Sequence, residues 1–183
     1  MLVTFVNSFS VFAVNIDDNN LGKYRIYCTE DTEHYIKYND RVQINYVYYY
    51  LNENNETIPA YCLNLGVDGP ETFDEYYVNV SEALEDETVT SILVNGYPYK
   101  TPYELGLPTD YQASYSTQFA IWAYLSNLDL NKIAATRPEY ECVVSAIKNI
   151  YHNGIEYKSN TNGLINMKVY DPEVCKDNSN VYS

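Results

Sequence analysis

The sequence predicts an α+β fold, with a β-sandwich or barrel-like core and an inserted helical subdomain. Residues 24–80 contain alternating segments rich in β-branched and aromatic residues, a pattern typical of strands. The middle of the chain, about residues 81–155, carries two capping-box patterns and helical periodicity. A further strand is predicted at Leu164 to Tyr170. Because strands precede and follow the helices, we expect one domain over residues 15–183.

The strand predictions rest on alternation along four segments. These are Tyr24–Cys28, Val42–Leu51, Thr57–Leu63 and Phe73–Val80. The polar stretch Asn52–Glu56 separates the second from the third, which predicts a hairpin with Cys62 on its returning strand. Pro59 has no N–H to donate to a ladder, so it indicates an edge position or a strand start.

Three helices are predicted from start and stop signals. A short helix over Thr88–Val94 should end at Asn95-Gly96, where Pro98 prevents continuation. A longer helix should begin at the capping box Thr109-Asp-Tyr-Gln112, with Gln112 reaching back, and run to about Asn127. The second box, Thr136-Arg-Pro-Glu139, should open a helix that ends at Asn153-Gly154.

Composition excludes several classes of function. The chain has 183 residues and a net charge of −14, and such a surface repels phosphate backbones and anionic lipid. We therefore expect no nucleic-acid partner and no membrane insertion. Residues 1–14 are set apart as a signal-peptide remnant or a disordered N-terminus. The stretch Met1 to Ala13 is apolar and ends in a sequence acceptable to signal peptidase, although it lacks a basic start. An ordinary first strand is the alternative.

No metal or other cofactor is expected. The four cysteines, Cys28, Cys62, Cys142 and Cys175, show no C-x-x-C spacing, and the chain has only two histidines, so a structural zinc site is not predicted. Disulfides are permitted if the chain is exported, but the sequence does not decide which cysteines would pair. The acidic run Glu82–Glu87 lacks the spacing of a calcium loop.

The most informative segment surrounds Gln118. Helical spacing puts Tyr115, Gln118, Trp122 and Leu125 on one face of the predicted helix. A buried carboxamide needs hydrogen-bond partners, so Gln118 is either a core glutamine bonded to backbone or a reactive group. Cys62, on a short apolar strand, is either a small buried hydrophobe or the reactive partner. A thiol and a carboxamide can condense to a thioester with loss of ammonia.

The motifs Tyr61-Cys62-Leu63 and Thr117-Gln118-Phe119-Ala120-Ile121-Trp122 resemble the thioester domains of Gram-positive surface adhesins. Asn95-Gly96-Tyr97-Pro98 also resembles a segment common in that family, and the resemblance spans about residues 24–155. It implies a Cys62–Gln118 thioester that forms unaided and reacts once with a lysine amine on a host surface protein, leaving an isopeptide. It further implies a secreted, cell-surface location within a longer, wall-anchored protein, a monomeric state and no catalytic turnover.

Supporting roles follow from the chemistry of such a bond. The amide oxygen must be polarised as it becomes an oxyanion, and the hydroxyls of Tyr61, Tyr97, Tyr115 and Thr117 are possible donors. The sequence does not choose among them. Thr117, Ala120 and Trp122 are expected to position and shield the bond.

Two other functions remain open at this point. A cysteine hydrolase or acyltransferase would need His34 or His152 beside the Cys62 thiol. A non-covalent module would bind protein or glycan through exposed tyrosines, for which Tyr46, Tyr48 and Tyr50 share one strand face. Burial of both faces of that strand is the alternative explanation of its composition.

Overall fold

The computed structural model describes residues 12–15, 25–31, 33–43, 45–51, 57–65, 76–83, 86–156 and 167–173. Most of the predicted N-terminal segment, the predicted turn at residues 52–56 and Cys175 lie outside these ranges. Within them the chain combines helices with antiparallel sheets. The predicted α+β class is confirmed.

Nine strands occur in the described ranges. They are β1 (Phe12–Asn15), β2 (Arg25–Asp31), β3 (Ile36–Tyr38), β4 (Arg41–Val42), β5 (Asn45–Leu51), β6 (Thr57–Cys62), β7 (Tyr76–Ala83), β8 (Ile133–Ala135) and β9 (Met167–Glu173). Six of them close a barrel in the order β1-β6-β5-β2-β7-β9, with every pairing antiparallel. Strands β4, β3 and β8 form a separate sheet.

The segment Val42–Leu51, predicted as one strand, is divided between the two sheets. Val42 belongs to β4 and pairs with β3, whereas residues 45–51 form β5 and pair with β2 and β6. The backbone N–H of Gln43 donates to the carbonyl of Ile36 at 3.0 Å. This bond holds the chain against β3 just before β5 begins in the barrel. The alternating sequence pattern therefore runs through a point where the chain passes from one sheet to the other.

Three α-helices are present in the described ranges: α1 (Glu87–Val94), α2 (Asp110–Leu125) and α3 (Glu141–Glu156). Asp86 caps α1, and its carboxylate accepts from the N–H of Thr88 at 2.8 Å. Thr109 caps α2 as predicted, accepting from the N–H of Gln112 at 3.2 Å. Capping satisfies amides that have no partner within a helix.

Two predictions about helix starts were wrong. Gln112 does not reach back to complete the capping box; its side chain is buried, and Oε1 has no hydrogen-bond partner among the described residues. Thr136 does not cap a helix, because its hydroxyl donates to the carbonyl of Tyr35 at 3.2 Å and the residue before the next helical turn is Arg137. A 3-10 turn over Pro138–Tyr140 intervenes before α3 begins at Glu141.

The predicted end of the third helix was also wrong, since Gly154 lies inside α3. A β-carbon at Gly154 would stand 2.8 Å from the Cα of Ile92 in α1. Glycine is therefore needed for close approach of α1 and α3 and does not terminate the helix.

Helix α2 occupies the centre of the molecule. It contacts α1, α3, β5 and β6, and every residue from 112 to 123 is buried. Leu125, predicted to share the buried stripe, is instead 40 % exposed. The final turn of α2 leaves the core there, and the following residues Ser126 and Asn127 are exposed.

Candidate functional site

The site lies where β6 extends beyond its pairing with β5 while it remains paired with β1. Strand β6 pairs with β5 only as far as Ala60, which lies opposite Tyr48. Two residues later comes Cys62, the last residue of β6, whose side chain is 0 % exposed. Its thiol donates to the carbonyl of Asn64 at 3.3 Å. The backbone of Cys62 thus continues past the β5 ladder into the region that α2 occupies.

The Gln118 side chain acts there as a substitute for a strand. Its Oε1 accepts from the backbone N–H of Cys62 at 2.7 Å, and its Nε2 donates to the Cys62 carbonyl at 2.7 Å. Since an N–H can only donate and a carbonyl only accept, these partners fix which end of the carboxamide is oxygen. Gln118 is 1 % exposed, and the two hydrogen bonds to Cys62 offset the cost of burying its carboxamide.

The backbone of Tyr97 is hydrogen-bonded to the residues that precede Cys62 and Gln118 in the chain. The N–H of Tyr97 donates to the Thr117 hydroxyl at 2.9 Å, and that hydroxyl donates to the carbonyl of Ala113 at 2.9 Å. The Tyr61 hydroxyl donates to the carbonyl of Tyr97. Tyr97 thereby connects Tyr61, which precedes Cys62, to Thr117, which precedes Gln118.

Glycine at position 96 permits this approach. A β-carbon there would lie 2.6 Å from the Thr117 Oγ1, inside the distance at which atoms repel. The segment Asn95 to Pro98, singled out by resemblance, is thus packed directly on the helix that carries Gln118.

The buried phenols near the site are neutral. Burial raises the pKa of Tyr61 far above its usual range, and burial likewise raises the pKa of Tyr115. Burial also raises the pKa of Tyr97, with a further contribution from the Asp110 carboxylate. At neutral pH these phenols therefore stay protonated.

The remaining sequence-predicted residues pack around the pair. Tyr115 enters an aromatic cluster, with its ring centroid 5.5 Å from that of Tyr35. Trp122 lies in the same core cluster as Cys62, and Ala120 packs in a second cluster with Tyr61. In the part of the chain that the structure describes, neither the Tyr115 hydroxyl nor the Trp122 Nε1 makes a hydrogen bond.

The donor to Gln118 Oε1 was not foreseen from the sequence. The hydroxyls considered there belong to four side chains, whereas the observed donor is the backbone N–H of Cys62 itself. Every residue except proline carries a backbone N–H, so the residue type at position 62 does not indicate that this amide is the donor. The strand predicted over Thr57–Leu63 gave no sign that the β5 pairing stops at Ala60 and that Gln118 bonds to Cys62 instead.

Geometry does not favour the two alternative functions. His34 and His152 are exposed, whereas the Cys62 thiol is buried. Val47 and Tyr48 point to opposite faces of β5, and both are buried, which agrees with burial of both faces. The side chain of Tyr50 lies outside the described residues.

Neither a metal site nor a membrane-spanning helix is found within the described ranges. Histidine, cysteine and acidic residues form no cluster there that could hold an ion. None of the described helices is long and apolar enough to cross a bilayer.

Comparison with known proteins identifies the motif-bearing region. A family described as "Thioester domain" matches residues 59–156. No curated protein sequence matches the chain.

Among solved structures, the Bacillus anthracis TIE protein is similar with a TM-score of 0.58 and 22 % identity over 73 % of this chain and 24 % of that one. The thioester domain of the Enterococcus faecium TIE86 protein is similar with a TM-score of 0.54 and 20 % identity, over 81 % of this chain and 54 % of that one. The N-terminal thioester domain of the fibronectin-binding protein SfbI from Streptococcus pyogenes has a TM-score of 0.52 and 13 % identity. The match covers 87 % of this chain and 98 % of that domain. This chain thus spans about a quarter and about half of the first two. At these sequence identities, the comparison shows that this chain and the three proteins have a similar fold.

Proposed function

The chain belongs to the thioester domain family, and from that premise we propose that Cys62 and Gln118 form an internal thioester that binds a partner covalently. The observation that carries the proposal is the reciprocal pair of 2.7 Å hydrogen bonds between the Gln118 carboxamide and the Cys62 backbone. These bonds hold the carboxamide against the residue that carries the thiol, and such proximity raises the effective concentration of two reacting groups.

Bond formation needs no cofactor. The Cys62 sulfur attacks the Gln118 side-chain carbon, and the carbonyl electron pair moves to Oε1. The Cys62 N–H already donates to that oxygen, so it stabilises the developing oxyanion. The thiol proton is transferred to Nε2, the carbon–nitrogen bond breaks, and ammonia leaves.

The direction of attack follows from strand geometry. In a strand, N–H and C=O lie near the plane of the ladder, and the side chain leaves that plane. The carboxamide of Gln118 occupies the ladder position of Cys62, so the sulfur belongs on a face of the carboxamide and not at its edge. A nucleophile must approach a carbonyl carbon from such a face.

The finished bond would also stabilise the fold. It closes a separation of 56 residues, and by analogy with disulfide loop entropy this contributes about 4 kcal/mol. Such a bond would join β6 of the barrel to the central helix α2.

Reaction with an amine provides the attachment. A lysine Nζ attacks the thioester carbon, Cys62 leaves as a thiol, and an isopeptide links Gln118 to the partner. Burial of Cys62 and Gln118 limits hydrolysis, because water reaches neither group freely. The net charge of −14 favours encounter with lysine-rich proteins. We assign the domain to a secreted, wall-anchored surface adhesin that reacts once per molecule with a host surface protein.

Intact mass of the folded protein tests this function. We expect the sequence mass minus one ammonia, which methylamine converts to a methylamine adduct. Cys62→Ala should have no ammonia deficit and form no adduct. Cys142→Ala, which alters a half-buried thiol on α3, should keep both properties. Full mass in the unreacted wild-type protein, with Cys62 open to alkylation, would contradict the function.

A further inference from the structure

The two-point contact between Gln118 and Cys62 uses one particular hydrogen of the carboxamide. Oε1 and Nε2 bind the N–H and the C=O of the same residue, each at 2.7 Å. Both contacts therefore lie on one edge of the amide, and the hydrogen that Nε2 donates is the one on the same side as Oε1. The second Nε2 hydrogen points away from Cys62.

An amine adduct of Gln118 cannot present the same edge. The product of amine attack is a secondary amide, and such amides prefer the trans form. In the trans form the remaining N–H points away from the oxygen, and the alkyl group takes the position beside the oxygen. That position faces the Cys62 carbonyl in the present contact, so the adduct places carbon where a hydrogen bond was.

We propose that the backbone edge of Cys62 selects the unsubstituted carboxamide of Gln118, so that the thioester closes with loss of ammonia faster than with loss of an amine. This inference rests on the proposed function. The site then favours closure from the original carboxamide over closure from the amine adduct. The precursor is held ready for closure, whereas the attached product is displaced from Cys62 and returns slowly to the thioester. In the return step, the Cys62 sulfur re-forms its bond to the Gln118 carbon and the amine leaves with the thiol proton.

The size of the effect follows from two routes back. The adduct can adopt the cis form and keep both contacts, at a cost of about 2.5 kcal/mol or roughly 70-fold in rate. It can instead close while making only the contact to Oε1. Losing one hydrogen bond costs about 1 kcal/mol, which is roughly fivefold. The faster route prevails, so we expect closure about 5-fold slower than from the free carboxamide.

Three opened forms of the wild-type protein test the proposal. The thioester is opened with ammonia, ethylamine or 2,2,2-trifluoroethylamine, the free amine is removed, and closure is followed by intact mass. The ammonia-opened form is the original Gln118 protein. Ethylamine and trifluoroethylamine have nearly the same shape, but trifluoroethylamine is less basic than ammonia and is therefore the better leaving group.

The expected order separates selection by Cys62 from leaving-group chemistry. We expect both alkyl adducts to close more slowly than the ammonia-opened form. Trifluoroethylamine closure as fast as, or faster than, closure after ammonia would overturn the inference, as would failure of the ammonia-opened form to close. The proposed function is tested separately, because it fails if the untreated protein contains no thioester.

Discussion

Helices α2 and α3 have the same length, 16 residues, but different relations to water. In α3 the buried side chains alternate with exposed ones at helical spacing, and Glu141, Ser145 and Asn149 face solvent. In α2 every residue from 112 to 123 is buried, and five of these are polar. A helix with one apolar stripe needs a single packing surface, whereas a helix buried all round must satisfy its polar groups inside the protein.

This difference in the burial of polar residues separates the helix that carries Gln118 from α3. Thr117 and Gln118 in α2 find partners on other segments, at Tyr97 and Cys62. In α3, by contrast, the exposed Ser145 hydroxyl donates only to the carbonyl one turn back, at Glu141. Two of the five buried polar residues of α2, Thr117 and Gln118, thus bond to distant segments of the chain. Substitutions in the two helices should test this contrast.

The largest effect is expected at Gln118. In a Cys62→Ala background, where no thioester can form, Gln118→Ala should lower the free energy of unfolding by about 2–5 kcal/mol. The N–H and C=O of residue 62 would then lose the hydrogen bonds that the carboxamide provides. Urea unfolding measures the loss. A change below about 0.5 kcal/mol, the usual range for surface substitutions, would show that water or another group replaces the carboxamide.

Next comes the close contact of α3 with α1. Gly154→Ala should destabilise the protein by about 1–3 kcal/mol, because the added carbon meets the backbone of Ile92. Asn149→Ala, on the exposed side of α3, is the control and should change stability by less than about 0.5 kcal/mol. Helix propensity alone predicts a gain of roughly 1 kcal/mol for Gly154→Ala, so a more stable variant would refute the packing argument.

A smaller effect is expected at Thr117. Thr117→Val removes the acceptor for the Tyr97 N–H and should cost about 1–2 kcal/mol, with a lower fraction of thioester by intact mass. Thr117→Ser keeps the hydroxyl and should retain the thioester fraction. Equal thioester fractions in the two variants would exclude a positioning role for this hydroxyl.

The smallest effect concerns alkaline pH. Burial raises the pKa of Tyr115 in the folded state, so the unfolded chain ionises first and stability falls as pH rises above about 10. At pH 10.5 this residue should cost about 0.8 kcal/mol relative to neutral pH. Tyr115→Phe should remove that part of the decline. Parallel stability–pH curves for the two proteins would disprove the assignment.

Much of the fold was predictable because its signals are local. The cap at Thr109, alternation along a strand and Asn95-Gly96 before Pro98 are signals that act over a few residues. The starts of α1 and α2 agree with expectation within one residue. Predictions failed where a distant segment competes for the same group. Thr136 bonds to Tyr35, and Gly154 serves a neighbouring helix. The division of Val42–Leu51 between two sheets likewise depends on pairing partners elsewhere in the chain.

The sequence by itself determined the acidic surface, the helices and the two motifs that carry Cys62 and Gln118. Only the tertiary structure decided that the carboxamide pairs with the backbone of Cys62 and that Tyr97 links the residues beside them. The reason is physical. Propensity and capping are set by neighbouring residues, whereas a contact across 56 positions depends on how α2 packs on the barrel and where the β5 ladder ends.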